Sequence, residues 1–313
     1  MNIVDTADPM KKTASLERGI IQHPQFKNAL DLLNEQHKLS VSSQQSHGMM
    51  VLGASGVGKS TLLQTFLKQH PIHETDEETR IPVLSVEIPS QPTIKSTADA
   101  ILGKFDEKYK GGTAETKTKK IIMLIKHCDV KTIILDEFQH FSDRGRKKTN
   151  ALVADWLKSL MNNAGVSFVV FGLPQAAEIL RSNEQLRRRF SASVTLVPWS
   201  MSSESDMKEF RGVIKILEKS ADLPASSELY ENDLYKRLYF ASGGKIGYLS
   251  KLIDSATYIA LQDGDSHIER SHLHKAFQKS VWADAPKNLN PFDDDFEWRQ
   301  LNGACEPFEP ALI

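Results

Sequence analysis

The 313-residue sequence predicts an α/β fold, a parallel sheet flanked by helices, followed by a small all-helical C-terminal region. Three observations predict it. Short apolar runs of strand length alternate with helical patterns as far as Val197. The first run, Met49-Met50-Val51-Leu52, leads straight into a glycine-rich turn and a helix. After Pro198 the strand signal stops and only helical stripes remain.

The elements follow in order. Phe26, Leu30 and Leu33 share one helix face in a segment opened by His23-Pro24, and the polar stretch Ser40 to His47 reads as a linker. A helix is expected from Lys59 to about His70. A second strand spans Ile81 to Ile88 and is ended by Pro89 and Pro92. Helices over 94–110 and 115–127 are split by Gly111-Gly112. Lys131 to Leu135 is a continuous apolar strand of the kind buried inside a parallel sheet. Leu152, Val153, Trp156, Leu157 and Leu160 form a helical stripe, and strands follow at Val166 to Phe171 and Val194 to Val197. Ser203-x-x-Asp206 is a helix-opening signature. Further helices are expected over 228–241, 246–262 and 270–280. The Pro, Asn and Asp-rich stretch from 283 reads as a tail.

Composition excludes more than it selects. The chain is 40% hydrophobic and 25% charged, with a net charge of -1, so any basic surface must be local. No apolar run approaches the roughly 20 residues of a membrane helix. The first 20 residues hold no apolar leader, so secretion is not expected. Two cysteines, Cys128 and Cys305, are too few for a disulfide framework or a Cys-rich zinc site. A cytoplasmic chain with no membrane partner is the expectation.

Gly53-Ala-Ser-Gly-Val-Gly-Lys-Ser60 fits the phosphate-loop pattern in its required place between a strand and a helix. Glycines let successive backbone N–H groups turn inward around phosphates, and the following helix N-terminus adds a favourable dipole. Lys59 is placed to reach the β- and γ-phosphates, and Ser60 to hold Mg²⁺. Ile133-Ile134-Leu135-Asp136-Glu137 is an apolar strand ending in two acids. Alone it reads as a solvated strand end. Behind a phosphate loop, Asp136 becomes a Mg²⁺ group and Glu137 a general base for the attacking water. Gln185-Leu-Arg-Arg-Arg-Phe190 precedes the fifth strand. Three adjacent arginines commonly mark a solvated face; here an arginine presented to a neighbouring subunit's γ-phosphate competes with that reading.

In this order, phosphate loop, Asp-Glu strand, Arg-Arg-Phe box and C-terminal helices resemble the AAA+ ATPases. More narrowly, Asp136-Glu-Phe-Gln-His140, Gln185-Leu-Arg-Arg-Arg-Phe190, Leu223-Pro-Ala-Ser-Ser227 and Gly243-Gly-Lys-Ile-Gly247 resemble the TniB/TnsC family of transposition ATPases. His23-Pro24-Gln25-Phe26 and Asn290-Pro291-Phe292 are similar too, and the resemblance spans about residues 18–292. It implies an AAA+ core over 48–198 with a helical lid over 199–281, an N-terminal extension over 1–47 and a tail over 282–313. It implies an ATP-dependent regulator that assembles as a ring or filament on duplex DNA. That regulator would link a target-selection factor, TniQ/TnsD-like or a guide-RNA complex, to the transposase. By motif, Gly53, Ala54, Ser55, Gly56, Val57, Gly58, Lys59, Ser60 and Thr61 bind ATP, and Ser60 and Asp136 hold Mg²⁺. Glu137 activates water and Arg189 is the finger, with Arg187 and Arg188 still open.

Two departures stand out. Where many lids carry Gly-x-x-Arg, aligning Gly244 puts Gly247 at the arginine, with Lys245 as a possible substitute. The fourth strand ends Phe171-Gly172-Leu173-Pro174 without a polar sensor. Both imply slow hydrolysis, and the resemblance implies its stimulation by assembly on DNA. Eight lysines against four acids between Lys104 and Lys131, and Arg144-Gly-Arg-Lys-Lys148, are candidate phosphate contacts or a solvated face. His267, His272 and His274 match no common metal spacing and read as surface histidines. Trp282, Phe292, Phe296 and Trp298 either meet a partner or pack on the chain's own lid. The rival readings are a helicase-loader-like ATPase with another client, and an ATP-gated DNA-binding scaffold that scarcely hydrolyses.

Overall fold

The structure is a computed structural model that describes residues 20–42, 46–106, 108, 111–141 and 147–310. Helix α1 (Pro24–Ser42) buries Phe26, Ala29, Leu30 and Leu33. It continues through the start of the stretch expected to be a linker. Ser40 Oγ donates to Gln36 O at 2.9 Å and Ser42 Oγ to Lys38 O at 3.0 Å, so these hydroxyls bond inside the helix rather than unwinding it.

Strand β1 (Gly48–Gly53), buried throughout, feeds the glycine-rich loop and helix α2 (Lys59–Gln69). A small antiparallel hairpin follows, β2 (His73–Glu74) with β3 (Thr79–Arg80). It is too short and polar to show in an apolar pattern. Then come β4 (Val83–Glu87), α3 (Ile94–Gly103) and α4 (Ala114–His127). Thr93 and Thr113 cap the two helices by accepting N–H bonds from Ser96 and Thr116. Helix α3 ends at its glycine instead of running to 110. Strand β5 (Thr132–Asp136) passes into a 3₁₀ turn, Phe138–Phe141. Next are α5 (Lys147–Ala164), β6 (Ser167–Gly172), the short helices α6 (Ala176–Ser182) and α7 (Glu184–Arg189), and β7 (Ala192–Leu196).

The sheet has order β4-β5-β6-β1-β7 with every pairing parallel. All five strands therefore end on one edge, which brings Gly53, Asp136 and Gly172 to the same side. Ligands of open α/β sheets bind at that edge. Ile133, Ile134, Leu135, Phe168, Val170 and Phe171 are fully buried, as expected for strands covered by helices on both faces.

The described residues form two compact units. One is Pro24–Ser55 with Lys59–Leu196; the other takes in Gly56–Gly58, the chain from Val197 and the described residues up to His23. The second unit carries α8 (Glu204–Ser220), α9 (Leu234–Ser242), α10 (Ile246–Asp263) and α11 (Arg270–Ser280). Ser203 opens α8 by accepting from Asp206 N. Helix α9 starts at Leu234 rather than near 228. Upstream of it the Glu218 carboxylate accepts from the N–H groups of Ser227, Glu228 and Leu229, holding them in a loop.

The chain beyond α11 is irregular but well packed. Leu289, Phe292, Phe296, Leu301 and Phe308 are buried in the same core as Phe210, Leu252 and Phe277. Arg237 donates to Pro291 O and Asp293 O, and Arg270 to Phe292 O. The acidic run is largely paired, Asp293 with His274 at 3.1 Å and Asp294 with Arg270 at 2.8 Å. Phe292, Phe296 and the half-buried Trp282 thus pack on the chain's own helices. Trp298 stays 42% exposed, with the Arg237 guanidinium 4.7 Å from its ring.

Candidate nucleotide site

The glycine pattern becomes a loop for a conformational reason. Gly56 and Gly58 sit at φ +81° and +101°, a region L side chains rarely occupy. The loop can therefore curl tightly before α2 starts at Lys59, whose first N–H groups lack intrahelical partners. Ser60 and Thr61 are exposed on the first turn. Lys59 folds back on its own loop, with Nζ donating to Gly53 O at 2.7 Å and Ala54 O at 3.0 Å. Burial lowers its pKa, and the negative charges of Glu137 and Asp136 oppose that shift. The structure thus brings Lys59 and the two acids into one electrostatic neighbourhood at the carboxyl edge of the sheet.

Asp136 ends β5 and accepts from Glu137 N at 2.8 Å. Burial raises its pKa, the hydrogen bond from Glu137 lowers it, and the charge of Glu137 raises it again. A carboxylate held in this way gains from a cation. Glu137 adopts φ +55°, a strained setting for a non-glycine residue. Its carboxylate accepts a hydrogen bond from Gln139 Nε2, and Gln139 Oε1 accepts from Leu173 N at 3.1 Å. In the sequence Gln139 appears only as one member of the run Asp136–His140, and its role is read from the two bonds made by its amide.

The arginine box lies elsewhere. Phe190 is buried against Gly48, where a Cβ would come within 2.7 Å of its ring. That pins α7 to the amino end of β1, roughly 17 Å from the phosphate loop at about 3.3 Å per residue. Arg187 and Arg188 are exposed, and Arg188 pairs with Glu184 at 2.7 Å. Arg189 is partly buried, with one guanidinium nitrogen donating to Asn162 Oδ1 and Nη1 buried without a partner. It borders a polar cavity of about 540 Å³ shared with His47, Asn162 and Arg188.

The basic stretch is thinned by pairing. Lys117 is buried and bonded to Asp99, while Lys108, Lys119 and Lys131 pair with Asp106, Glu115 and Asp129. Lys104 and Lys126, with Lys95 on α3, remain exposed. Of the second basic segment, 142–146 lies outside the described residues, as do the side chains of Lys147 and Lys148.

In the helical unit, Gly247 N donates to Gly56 O at 2.8 Å, and a Cβ on Gly247 would meet that oxygen at 3.0 Å. Any side chain here would crowd that carbonyl, so glycine fits the contact at the position where a Gly-x-x-Arg pattern would place an arginine. The Lys245 ammonium lies 4.9 Å from the Phe308 ring centre and 5.6 Å from that of Tyr248, and burial lowers its pKa. His272 is buried, contrary to the surface position its polar neighbours suggest. Asp263, Asp265 and His272 bring possible ligand atoms within 4.8 Å of one another. Yet His272 Nδ1 accepts from Glu269 N at 3.0 Å, so Nε2 carries the hydrogen that points at Asp265 Oδ2, also 3.0 Å away. No ring lone pair is left for a metal. Among the described residues no helix is long and apolar enough to cross a membrane.

Comparison with solved structures places the fold. Cdc6p from Pyrobaculum aerophilum aligns with TM-score 0.60 at 13% identity, over 85% of this chain and 71% of that one. The Aeropyrum pernix ORC1 protein in complex with DNA aligns at 0.59 and 13%, over 83% and 66%. The Aeropyrum pernix ORC2 protein, in ADPNP-ADP complexes, aligns at 0.55 and 13%, over 83% and 68%. At these identities the likeness shows the fold, an AAA+ core followed by C-terminal helices. Among curated proteins no match is found. The family model for the bacterial TniB protein matches residues 13–201, more than half the chain and all of the sheet-bearing unit. By that match, and by the order of its motifs on this sheet, the chain belongs to the TniB family.

Proposed function

We propose that this chain is an ATP-dependent regulator of DNA transposition that binds and hydrolyses ATP with Mg²⁺ and assembles with copies of itself on duplex DNA. One observation carries the proposal: Lys59, Asp136 and Glu137 converge at the carboxyl edge of the sheet beside a glycine loop and a helix N-terminus. The loop N–H groups of 53–61 and Lys59 bind the phosphates, the ammonium exchanging its two loop carbonyls for phosphate oxygens. The Ser60 hydroxyl and the Asp136 carboxylate are hard oxygen donors and suit Mg²⁺. That ion, when bound, neutralises charge on the phosphates. Glu137 takes a proton from the water whose oxygen bonds to the γ-phosphorus as the bond to the β–γ bridging oxygen breaks, so that ADP leaves and inorganic phosphate forms. Arg189 sits at the far end of β1, beyond reach of its own loop, which supports a role on a neighbouring subunit's γ-phosphate.

Membership of the TniB family supports transposition as the process, with a transposase and a target-selection factor as partners. Two fold neighbours are described with DNA, Aeropyrum pernix ORC1 and Drosophila ORC, which supports duplex DNA as the surface of assembly. The exposed Lys95, Lys104 and Lys126 suit phosphates and carry no base readout. A scaffold with little turnover is the second reading, favoured by Gly247 in place of the lid arginine.

The test is Lys59→Ala. Calorimetric titration with ATP is expected to lose the binding isotherm, and electron microscopy with duplex DNA and a slowly hydrolysed ATP analogue to lose the assemblies formed by the wild type. Unchanged ATP affinity would overturn the site.

A further inference from the structure

The fourth strand of an ATPase sheet often ends in a polar side chain near the attacking water, and here Leu173 offers none. The structure fills that gap from the neighbouring strand. Gln139 lies in the 3₁₀ turn after β5 and is only 6% exposed. Its amide is engaged at both ends: Oε1 accepts from Leu173 N just past the end of β6, and Nε2 donates to the Glu137 carboxylate. Gly172 makes the room. Its φ is not positive, so no turn demands glycine there, yet a Cβ would stand 2.8 Å from Gln139 Oε1.

The turn that carries Gln139 is itself anchored. Phe138 and Phe141 are buried with ring centres 5.2 Å apart, and His140 Nδ1 bonds Ile88 O at 2.9 Å, just beyond β4. The ends of β4 and β6 thus hold the turn from both sides. Glu137, at φ +55°, needs such support to keep one orientation. A base on a strained residue with no donor on its carboxylate would sample several rotamers, of which few face the attacking water.

We propose that Gln139 is the positioning residue of this site, a carboxamide bridge that ties the Glu137 carboxylate to the tip of β6 and stands in for the polar side chain that β6 lacks. The inference rests on the ATP-hydrolysing reading above. It assigns Gln139 no contact with substrate; the residue acts through Glu137 alone. Gln139→Leu keeps the volume but removes both hydrogen bonds, and Gln139→Glu puts a second carboxylate against Glu137.

The experiment measures ATP affinity and steady-state hydrolysis with duplex DNA for the wild type, Gln139→Leu, Gln139→Glu, Glu137→Gln and the double variant Glu137→Gln/Gln139→Leu. Gln139→Leu is expected to lower kcat by about 10- to 100-fold, less than the roughly 10²–10⁴ that loss of a general base itself costs, with ATP affinity within about twofold. In the Glu137→Gln background the same change is expected to add nothing, because the group it positions is gone. Gln139→Glu, which removes the amide donor from the Glu137 carboxylate, is expected to lower kcat in the same direction while leaving ATP affinity within about twofold. Gly172→Ala, which crowds the amide without touching Glu137, is expected to reduce kcat in the same direction. Full activity of Gln139→Leu, or an equal further loss in the Glu137→Gln background, would overturn the inference while leaving the ATPase reading intact. A wild type that turns over no ATP would instead overturn that reading, and this inference with it.

Discussion

Single residues here are decided by their partners more than by their types. Lys117 belongs to a run that looks uniformly basic, yet its side chain is 2% exposed and its ammonium is held by Asp99 between α3 and α4. Removing Asp99 would strand that charge, so Asp99→Ala is expected to destabilise the fold by about 3 kcal/mol or less, Asp99 being itself partly exposed, whereas Lys117→Met is expected to be near neutral. Thermal melts read both. DNA binding separates the lysines further. Lys104→Ala/Lys126→Ala is expected to weaken binding to any duplex sequence and to flatten the slope of log K against log salt by up to about 0.9 for each phosphate these lysines neutralise, while Lys117→Met leaves it alone. Filter binding at several salt concentrations is the check, and an unchanged slope in the double variant would remove these lysines from the DNA surface.

At the scale of elements, helix α1 is joined to the phosphate-loop helix by a histidine pair. The His37 and His70 rings lie 4.3 Å apart at the end of α2. His37 Nδ1 bonds Thr132 Oγ1, Phe66 packs at its edge, and His70 Nε2 bonds Asn34 Oδ1. Burial, with His70 nearby, pushes the pKa of His37 down to about 4, and burial lowers that of His70 too. Both rings therefore take up a proton less readily when folded, and the unfolded chain is protonated first. Stability is expected to be constant above about pH 6.5 and to fall as pH drops from there toward 4. Urea denaturation across that range reads it. His37→Phe should flatten the fall, and an unchanged profile in that variant would place the acid sensitivity elsewhere. Element boundaries show the same dependence on partners: Ser40 and Ser42 stay helical because their hydroxyls bond back to the helix, and the loop before α9 persists because Glu218 collects its N–H groups.

For the whole molecule, the decisive feature is that the phosphate loop and Arg189 lie at opposite ends of one strand, β1. Arg189 lies about the length of β1 from its own loop, so in the proposed reaction it serves the loop of a second copy. Arg189→Ala is expected to bind ATP normally but to hydrolyse it roughly 10³-fold more slowly, the loss seen where a finger acts in trans. Mixing Arg189→Ala with Lys59→Ala, each inactive alone, is expected to restore part of the ATPase activity through interfaces that pair a sound loop with a sound finger. Absence of recovery despite co-assembly would move the role to Arg187 or Arg188 or remove it.

Local chemistry made much of this legible in one dimension. The phosphate loop and the Asp-Glu strand are contiguous, and their glycines, lysine and acids have backbone reasons to sit at those spacings. The inner strands β1, β5 and β6 are visible because parallel strands covered on both faces are continuously apolar. What stayed hidden depends on residues far apart in sequence. Gln139 acquires meaning only from Leu173 and Gly172 beyond the next helix, and the fit of glycine at 247 is read only from the Gly56 carbonyl against it. The stretch from 283 reads as a tail because it is rich in Pro, Asn and Asp, yet Phe292, Phe296 and Phe308 enter a core built by other helices. Sequence thus determined the chemistry each segment offers, since that is carried by side chains and local backbone. Tertiary structure decided which groups are paired, buried or free to act, because those depend on distances that no spacing along the chain encodes.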